Sequence, residues 1–497
     1  MKHTILFTIV ALLAGITGMA QIAPEKYAAW LTDKDNNTYT LSNPGEFLSA
    51  RALERRSRFG IATDYYDLPV TPAYLDQIRE TGVSILHASK WLNAVVFHTT
   101  DPNLAEIVGQ LPFVKKVSKI PARKATADNE HGMMHMKDDQ RIPFIDYTHL
   151  PPNANPMKSG SSNVFNYGGG LNQIQMIKGE ELHNRGYTGK GLIIALLDAG
   201  YWHVDQLAAF DSLWLNGRII GTRDFVTPGA NVFGDDMHGH GMMVLSTMGA
   251  NLPGQLVGTA PHASYFLIRT EDGASEYIIE EYNWVSGAEL ADSLGADIIN
   301  SSLGYTTYDD PAQNHTYEDM DGNTAIATIG ADRAASRGIL VVNSAGNSGG
   351  SAWRYIGAPA DGDSVFSIGA VDYLGQYAGF SSKGPTYDGR VKPNIATQGQ
   401  GAAFIAYGGT VSYGNGTSFS SPIAAGMMAC LWQAHPELNN MQLMNAVMQT
   451  ASQSNTPDSL LGYGIPNFLA AHASLSVGNS ETTFAPRYVA LPSCIPQ

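Results

Sequence analysis

Cysteine is nearly absent from this sequence, since 497 residues contain only Cys430 and Cys494. A disulfide-rich scaffold is therefore excluded, while a single bridge between the two remains open. Basic residues are also scarce, because 45 acidic side chains stand against 30 basic ones and give a net charge of −15. This balance argues against nucleic acid as the main partner.

Long apolar runs are the third scarcity. The first twenty residues combine Lys2, an apolar segment over residues 5–14 and small residues at 18–20, which is typical of a secretory signal. That segment is shorter than a bilayer requires, and no other stretch is long and apolar enough to span a membrane. We therefore predict a signal peptide at residues 1–20 and a secreted protein, extracellular or periplasmic.

Changes in composition along the chain predict two folded parts. Residues 21–121 indicate a small α+β module, with helices beginning near Asn43, Pro72 and Asp101 and strands over 83–87, 93–99 and 113–117. Residues 122–169 are rich in proline, serine and glycine and are typical of a linker. Residues 170–476 alternate between strand and helix patterns, and residues 477–497 form a short tail.

Four apolar runs in the larger part predict buried parallel strands, at 191–197, 296–300, 338–343 and 365–371. Polar residues and glycines follow these runs, beginning with Asp198 after the first. The pattern predicts an α/β fold with a parallel sheet, whose carboxyl edge is where ligands bind in such folds.

A hydroxyl stands at the start of a long apolar helix in Gly416-Thr417-Ser418, followed by Pro422 and an apolar run over 423–432. A helix N-terminus favours developing negative charge, and proline is tolerated in an early helical turn. The alternative interpretation is that Ser418 only caps the helix.

Asp198, His240 and Ser418 occur in the chain order that general accounts of the catalytic triad give for subtilisin. The surrounding residues over about 171–475 resemble the subtilisin-like serine endopeptidases, or subtilases. The resemblance rests on five short motifs: Asp198-Ala199-Gly200, His240-Gly241, Ser302-Leu303-Gly304, Ala345-Gly346-Asn347 and Gly416-Thr417-Ser418. Met242 departs from the family, which usually has threonine there.

The resemblance implies a role for each motif. Ser418 would be the nucleophile, His240 the general base, and Asp198 the group that orients the imidazole. Asn347 would donate a hydrogen bond to the oxyanion, together with the main-chain N–H of Ser418. The residues implied to bind substrate are Ser302, Leu303, Gly304, Ala345 and Gly346.

Each assignment has an alternative. His238 also precedes a glycine and competes with His240, although the apolar run after Gly241 favours His240. Asp198 could be a structural cap, and Asn347 a turn residue. The whole protein could be an inactive, purely binding relative. A lipase-type hydrolase is disfavoured, because no glycine stands two residues after Ser418.

The resemblance also bears on partners and cofactors. It implies that proteins or peptides are the substrates and that the N-terminal module is a pro-domain, an intramolecular inhibitor; a retained accessory domain is the alternative. No cofactor is required. Structural calcium is common in the family, and Asp205 is the least poor candidate ligand.

Overall fold

The computed structural model describes residues 22–123 and 163–478. The predicted signal segment 1–20, residues 124–162 of the predicted linker, residues 479–497 and Cys494 lie outside the described residues. Among the helices of the described ranges, none combines the length and apolarity that a bilayer crossing requires.

Residues 22–123 form the N-terminal module, an antiparallel sheet in the order β2-β3-β1-β4 with three helices. Its strands are β1 (Ile22–Leu31), β2 (Ser84–Ser89), β3 (Ala94–His98) and β4 (Val114–Arg123). Its helices are α1 (Ala50–Arg58), α2 (Pro72–Glu80) and α3 (Pro102–Gly109).

Two features of this module differ from the prediction. The helix expected from Asn43 is broken: a 3-10 turn, Pro44–Glu46, comes first, and α1 then begins after Ser49, whose Oγ accepts the N–H of Ala52 at 3.2 Å. Strand β1 is not predicted by the sequence, because its proline, alanines and charged residues have low β-propensity. It nevertheless pairs with both β3 and β4.

Residues 163–478 form the main domain, built on a seven-stranded sheet. The strands of the whole domain, of which seven form this sheet and four form two small two-stranded sheets, are β5 (Ile193–Asp198), β6 (Ile219–Asp224), β7 (Asn251–Leu252), β8 (Leu256–Val257), β9 (Ser264–Arg269), β10 (Ile298–Ser301), β11 (Leu340–Ser344), β12 (Phe366–Val371), β13 (Ile395–Gln398), β14 (Gln400–Ile405) and β15 (Val411–Asn415). The central sheet has the order β13-β12-β11-β10-β5-β9-β6 and all its pairs are parallel. The predicted α/β fold is confirmed.

Helices cover both faces of this sheet. They are α4 (Leu171–Gln175), α5 (Gly179–Asn184), α6 (Asp211–Leu215), α7 (His240–Gly249), α8 (Ile279–Leu294), α9 (Ile326–Ser336), α10 (Thr417–Ala434), α11 (Asn440–Gln449) and α12 (Phe468–Gly478). In β5, Ile194 and Leu196 join the core with α7 and α10, whereas Ala195 and Leu197 join the core with α8 and α9. This alternation follows from the two-residue repeat of a strand.

The two parts share a hydrophobic contact. Ala28, Val96 and Ile120 of the N-terminal module pack with Tyr277 and Tyr282 of the main domain. The sheet of the module therefore lies against the α8 side of the main domain.

The last residues of the predicted linker belong to the main domain. Tyr167 is 1% exposed, and its hydroxyl lies 2.8 Å from Nδ1 of His183. Phe165 packs in the same hydrophobic cluster as Tyr167. The main domain therefore begins by Phe165, a few residues before the predicted boundary between linker and domain at residue 170. Cys430 is buried, and its Sγ donates to the carbonyl of Thr259 at 3.2 Å.

Candidate active site

The side chains of Asp198 and His240 meet at the carboxyl edge of the sheet. Asp198 ends β5 and is fully buried, and His240 begins α7 and is 2% exposed. Nδ1 of His240 lies 2.8 Å from Oδ1 of Asp198, which also accepts the N–H of Ala199 at 2.7 Å. Because a carboxylate can only accept, the imidazole carries a proton on Nδ1 and presents Nε2 as its basic nitrogen.

The alternative histidine, His238, stands beside this pair. Its Nδ1 accepts the main-chain N–H of His240 at 3.2 Å. Steric crowding explains why a glycine follows His240. A Cβ on Gly241 would lie 2.5 Å from the carbonyl oxygen of Gly200 and 2.9 Å from Cβ of Asp198. The His-Gly dipeptide thus lets the helix approach the aspartate, and it is His240 that Asp198 contacts.

Ser418 is the second residue of α10, which begins at Thr417 after Gly416. It is therefore not the cap of the helix, and the interpretation of Ser418 as a mere cap is wrong. Because Ser418 lies in the first turn, its main-chain N–H has no acceptor within the helix. The helix is buried from Thr417 to Trp432, in keeping with its apolar composition.

Pro422 explains how Ser418 is tied to the sheet. It is the sixth residue of α10, later than the early turn expected for it. Having no N–H, it cannot bond the carbonyl of Ser418 four residues before it. Oγ of Ser302 donates to that carbonyl instead, at 3.0 Å, and Oγ of Ser418 donates to the carbonyl of Ser302 at 3.3 Å.

Asn347, in the loop after β11, is held by the start of α10. Its Oδ1 accepts the N–H of Thr417 at 2.8 Å and the hydroxyl of Thr417 at 3.0 Å, and that hydroxyl accepts the N–H of Gly346 at 3.2 Å. Since both bonds occupy the amide oxygen, the amide nitrogen is directed to the other side. The side chain of Asn347 therefore has a fixed orientation with its donor turned away from Thr417.

The two segments predicted to bind substrate lie side by side. Ser302, Leu303 and Gly304 follow β10, and Nδ2 of Asn343 in β11 donates to the carbonyl of Leu303 at 3.0 Å. Ala345 and Gly346 follow β11. Gly346 has a φ of +102°, and a Cβ there would lie 2.8 Å from Oγ of Ser382, so glycine is required.

One contact at the site has no motif in the sequence. Tyr407, between β14 and β15, accepts the N–H of Gly239 through its hydroxyl at 2.8 Å, just before α7 begins. Its ring packs edge-on against Trp202 at 4.8 Å between centroids. A tyrosine in a glycine-rich hairpin gives no signal of this contact, because it joins segments more than 160 residues apart.

The acidic side chains do not assign a metal site. Asp205 is exposed. In the described ranges, the carboxylates of Glu271, Glu276 and Glu280 are the group whose oxygens lie within 4.8 Å of one another. The hydroxyl of Tyr305 donates to Glu271 at 2.5 Å, and a main-chain N–H donates to Glu280 at 2.9 Å. Two of the three carboxylates, those of Glu271 and Glu280, are thus engaged by protein donors.

Models of known protein families match both parts of the chain. The profile of the Subtilase family (Peptidase S8) matches residues 189–464, and that of the Peptidase S8 propeptide domain, Bacteroidota, matches residues 26–133. Subtilisin E of Bacillus subtilis (strain 168) is 30% identical over 341 residues, which cover 68% of this chain and 77% of that protein. Subtilisin of Bacillus pumilus is 32% identical over 301 residues, which cover 60% of this chain and 97% of that protein.

A solved structure shares the fold. The crystal structure of fervidolysin from Fervidobacterium pennivorans, described as a keratinolytic enzyme related to subtilisin, superposes with a TM-score of 0.57 at 18% identity. The match covers 90% of this chain and 61% of that one.

These findings place the protein among the serine endopeptidases. Within that class, the chain belongs to the subtilase family, peptidase family S8, and carries a domain of the S8 propeptide type before its main domain.

Proposed function

We propose that this chain is an active, secreted serine endopeptidase in which Asp198, His240 and Ser418 form the triad and the N-terminal module is an inhibitory pro-domain. The observation that carries the proposal is the buried 2.8 Å contact between Asp198 and His240 at the edge of the sheet, together with the place of Ser418 in the first turn of α10. An inactive binding protein would not need this arrangement.

The reaction follows from the orientation of the histidine. Ser418 Oγ attacks the carbonyl carbon of the peptide while its proton passes to Nε2 of His240. The 3.3 Å bond from Ser418 to Ser302 is weak, and rotation about Cβ–Oγ redirects the proton. The imidazolium is stabilised by Asp198 and then protonates the leaving amine. Water next attacks the acyl-enzyme, again with His240 as base, and frees the acid.

The oxyanion is stabilised by two donors. The N–H of Ser418 has no partner within its helix, and the amide nitrogen of Asn347 faces away from Thr417. Donors held in place before the reaction act mainly on the transition state, where the charge develops. The segments 302–304 and 345–346 lie beside these donors and bind the substrate main chain in this proposal.

The remaining parts of the proposal concern maturation and cofactors. The segment 1–20 directs secretion, and the module is cut off within residues 122–169. The match of residues 26–133 to a propeptide domain supports this reading over that of a retained accessory domain. Catalysis needs no cofactor, and any calcium has a stabilising role only.

The test is covalent labelling with a fluorophosphonate followed by mapping of the labelled peptide. The processed protein is expected to be labelled on Ser418, and Ser418→Ala to lose both labelling and peptide hydrolysis while keeping its fold. Ser420→Ala is the matched control, because it removes a hydroxyl from the same buried turn. Full hydrolysis by Ser418→Ala would reject the mechanism. Mass spectrometry of the N-terminus tests maturation, and an active enzyme beginning at Gln21 would reject the pro-domain.

A further inference from the structure

Two histidines of the main domain face each other at the far end of the helix that carries Ser418. His435 is the residue that caps the C-terminus of α10, and His472 lies in α12. Nε2 of His435 lies 2.8 Å from Nδ1 of His472, and the two ring centroids are 4.9 Å apart. Because a helix rises about 1.5 Å per residue, the pair lies roughly 25 Å from Ser418 and is separate from the candidate active site.

His435 is held in place by the end of α10. The residue is only 4% exposed, and its main-chain N–H donates to the carbonyls of Leu431 and Trp432, both at 3.1 Å. Nε1 of Trp432 donates to the carbonyl of Leu438 at 2.9 Å and closes the turn that follows the helix. The imidazole of His435 therefore has a fixed backbone beneath it.

His472 reaches the pair from the other side. Phe468, at the start of α12, is fully buried, and its N–H donates to the carbonyl of Ile177 at 3.0 Å. The ring of Tyr187 packs on His472 at 5.4 Å between centroids. His472 itself is half-buried, so an ion in solution can reach the two nitrogens from the α12 side.

The charges around the pair suit a cation. Oε1 of Glu437 lies 3.7 Å from Nδ1 of His435, which favours a proton on that nitrogen and a lone pair on Nε2. A carboxylate behind the ring is typical of metal-ligating histidines. The last carbonyls of α10 add partial negative charge. Arg185 also lies near His472, but its guanidinium pairs with Glu181 at 2.8 Å.

Both rings are in the form that binds metals. Burial lowers the pKa of each; Glu437 opposes this at His435, whereas His435 and Arg185 reinforce it at His472. The imidazoles are therefore neutral at pH 7.5, as a metal ligand must be. Moving the proton of His472 from Nδ1 to Nε2 turns both facing nitrogens into lone-pair donors, and no net proton is released.

We propose that His435 and His472 bind a divalent transition-metal ion such as Zn²⁺, which ties α12 to the end of α10. The inference goes beyond the proposed peptidase function and does not depend on it. Its chemistry also differs from that of structural calcium, since imidazole nitrogen suits Zn²⁺, Cu²⁺ and Ni²⁺, whereas Ca²⁺ takes oxygen ligands.

The geometry needs only a small adjustment. Two nitrogens bound to one tetrahedral Zn²⁺ lie about 3.3 Å apart, so the rings must separate by roughly 0.5 Å. Within residues 22–123 and 163–478, no third histidine, cysteine or carboxylate has a ligand atom within 4.8 Å of both nitrogens. Water therefore completes the coordination, and the metal joins two elements rather than being enclosed by the protein.

The test is calorimetric titration of full-length Ser418→Ala protein with ZnCl₂ at pH 7.5, with excess calcium present throughout. We expect this parent to bind one more equivalent of Zn²⁺ than His435→Gln or His472→Gln. The double variant should lose the same single equivalent, because both rings hold one ion. Zn²⁺ at about 100 times its dissociation constant should raise the unfolding midpoint of the parent by at least about 3 °C, and that of the variants by less.

His262→Gln is the matched control, because the sequence has 14 histidines that could bind Zn²⁺ weakly. His262 is also partly buried with a lowered pKa, but its Nδ1 bonds the hydroxyl of Thr188 at 2.9 Å rather than a second histidine. We expect this variant to keep the full stoichiometry of the parent. Glutamine can still hydrogen-bond across the helices, and the half-buried His472→Gln decides the question if His435→Gln does not fold.

The proposal is overturned if His472→Gln binds Zn²⁺ with the stoichiometry of His262→Gln and an affinity within threefold of it. It is overturned equally if the two single variants lose separate equivalents that add in the double variant, since each histidine would then bind its own ion. Neither outcome bears on the proposed function, because the measurement uses Ser418→Ala protein and no substrate.

Discussion

Thr417 holds Asn347 with two hydrogen bonds to one atom, from its N–H at 2.8 Å and from its hydroxyl at 3.0 Å, both to Oδ1. The residue before the candidate nucleophile therefore fixes the candidate oxyanion donor. The start of α10 and the loop after β11 are joined as one unit, so the two donors of the proposed oxyanion site are positioned together.

Thr417→Val is expected to lower kcat by about 3–10-fold with little change in KM, because it removes one of the two bonds that orient the Asn347 amide. Valine keeps the shape of the side chain, and the N–H of residue 417 still bonds Asn347. Thr417→Ser restores the hydroxyl and is expected to restore kcat. Steady-state kinetics with active-site titration measure both; equal losses in the valine and serine variants would contradict this role.

Asn347→Leu is expected to lower kcat by about 10²–10³ and to change KM little, since one oxyanion donor acts mainly in the transition state. Asn347→Asp adds repulsion and is expected to lose at least as much. Active-site titration separates this effect from loss of folded protein. A leucine variant that titrates fully and keeps kcat within a few-fold of the parent would show that Asn347 is not the donor.

The two histidines are expected to differ sharply. His240→Ala should reduce kcat/KM by at least about 10³, because the general base is lost. His238→Ala removes an acceptor for the main-chain N–H of His240 and should cause a modest loss. Initial rates on one peptide substrate rank the variants, and the reverse order would assign the base to His238.

Much of the site could be predicted from the sequence, because its residues lie at the ends of apolar runs that indicate a strand or a helix. An apolar run that closes on Asp198 predicts a buried strand with a carboxylate at its edge, and the structure has this arrangement. The start of an apolar helix likewise located Ser418. These predictions depend only on neighbours along the chain.

The contacts that cross the chain could not be predicted in this way. Pro422 gives no sign that the carbonyl it frees will accept from Ser302, 116 residues away. Arg55 reads as one of several charges on an exposed helix, yet it is buried against residues more than 230 positions later. Such contacts depend on how complete helices and strands pack against one another, and the local sequence around each residue does not predict that packing.

Acidification is expected to weaken the hold of the N-terminal module through His87. This residue of β2 is buried against α8, with Nε2 3.1 Å from Oδ1 of Asn283 and Nδ1 2.9 Å from Oγ of Ser286. Burial, aided by the charges of Lys26 and Arg223 and opposed by the bond to Asn283, lowers the pKa of His87 from 6.5 to about 4.

The direction follows from linkage. In the detached module the His87 ring returns to water and to a pKa near 6.5, so the proton binds the free form better. The contribution of His87 to binding is therefore complete above about pH 6.5 and is lost as the pH falls towards 4. From pH 7.5 to pH 5 the affinity should drop by about 30-fold from this group.

His87→Gln isolates this effect, because glutamine keeps a polar side chain that does not titrate. The measurement uses full-length Ser418→Ala protein that is immobilised through its C-terminus and cut between the module and the main domain by an added site-specific protease. We expect release of the module to accelerate about 30-fold between pH 7.5 and pH 5, and the glutamine variant to lose most of that pH dependence. All other titratable groups are common to both proteins, so their contributions cancel in the comparison. Asp292 of α8, which is buried against Arg55, Arg56 and Lys90 of the module, has a pKa of about 2 and stays ionised over the whole interval, so these ion pairs do not change. Superimposable pH profiles for the two proteins would exclude His87 as the responsive group.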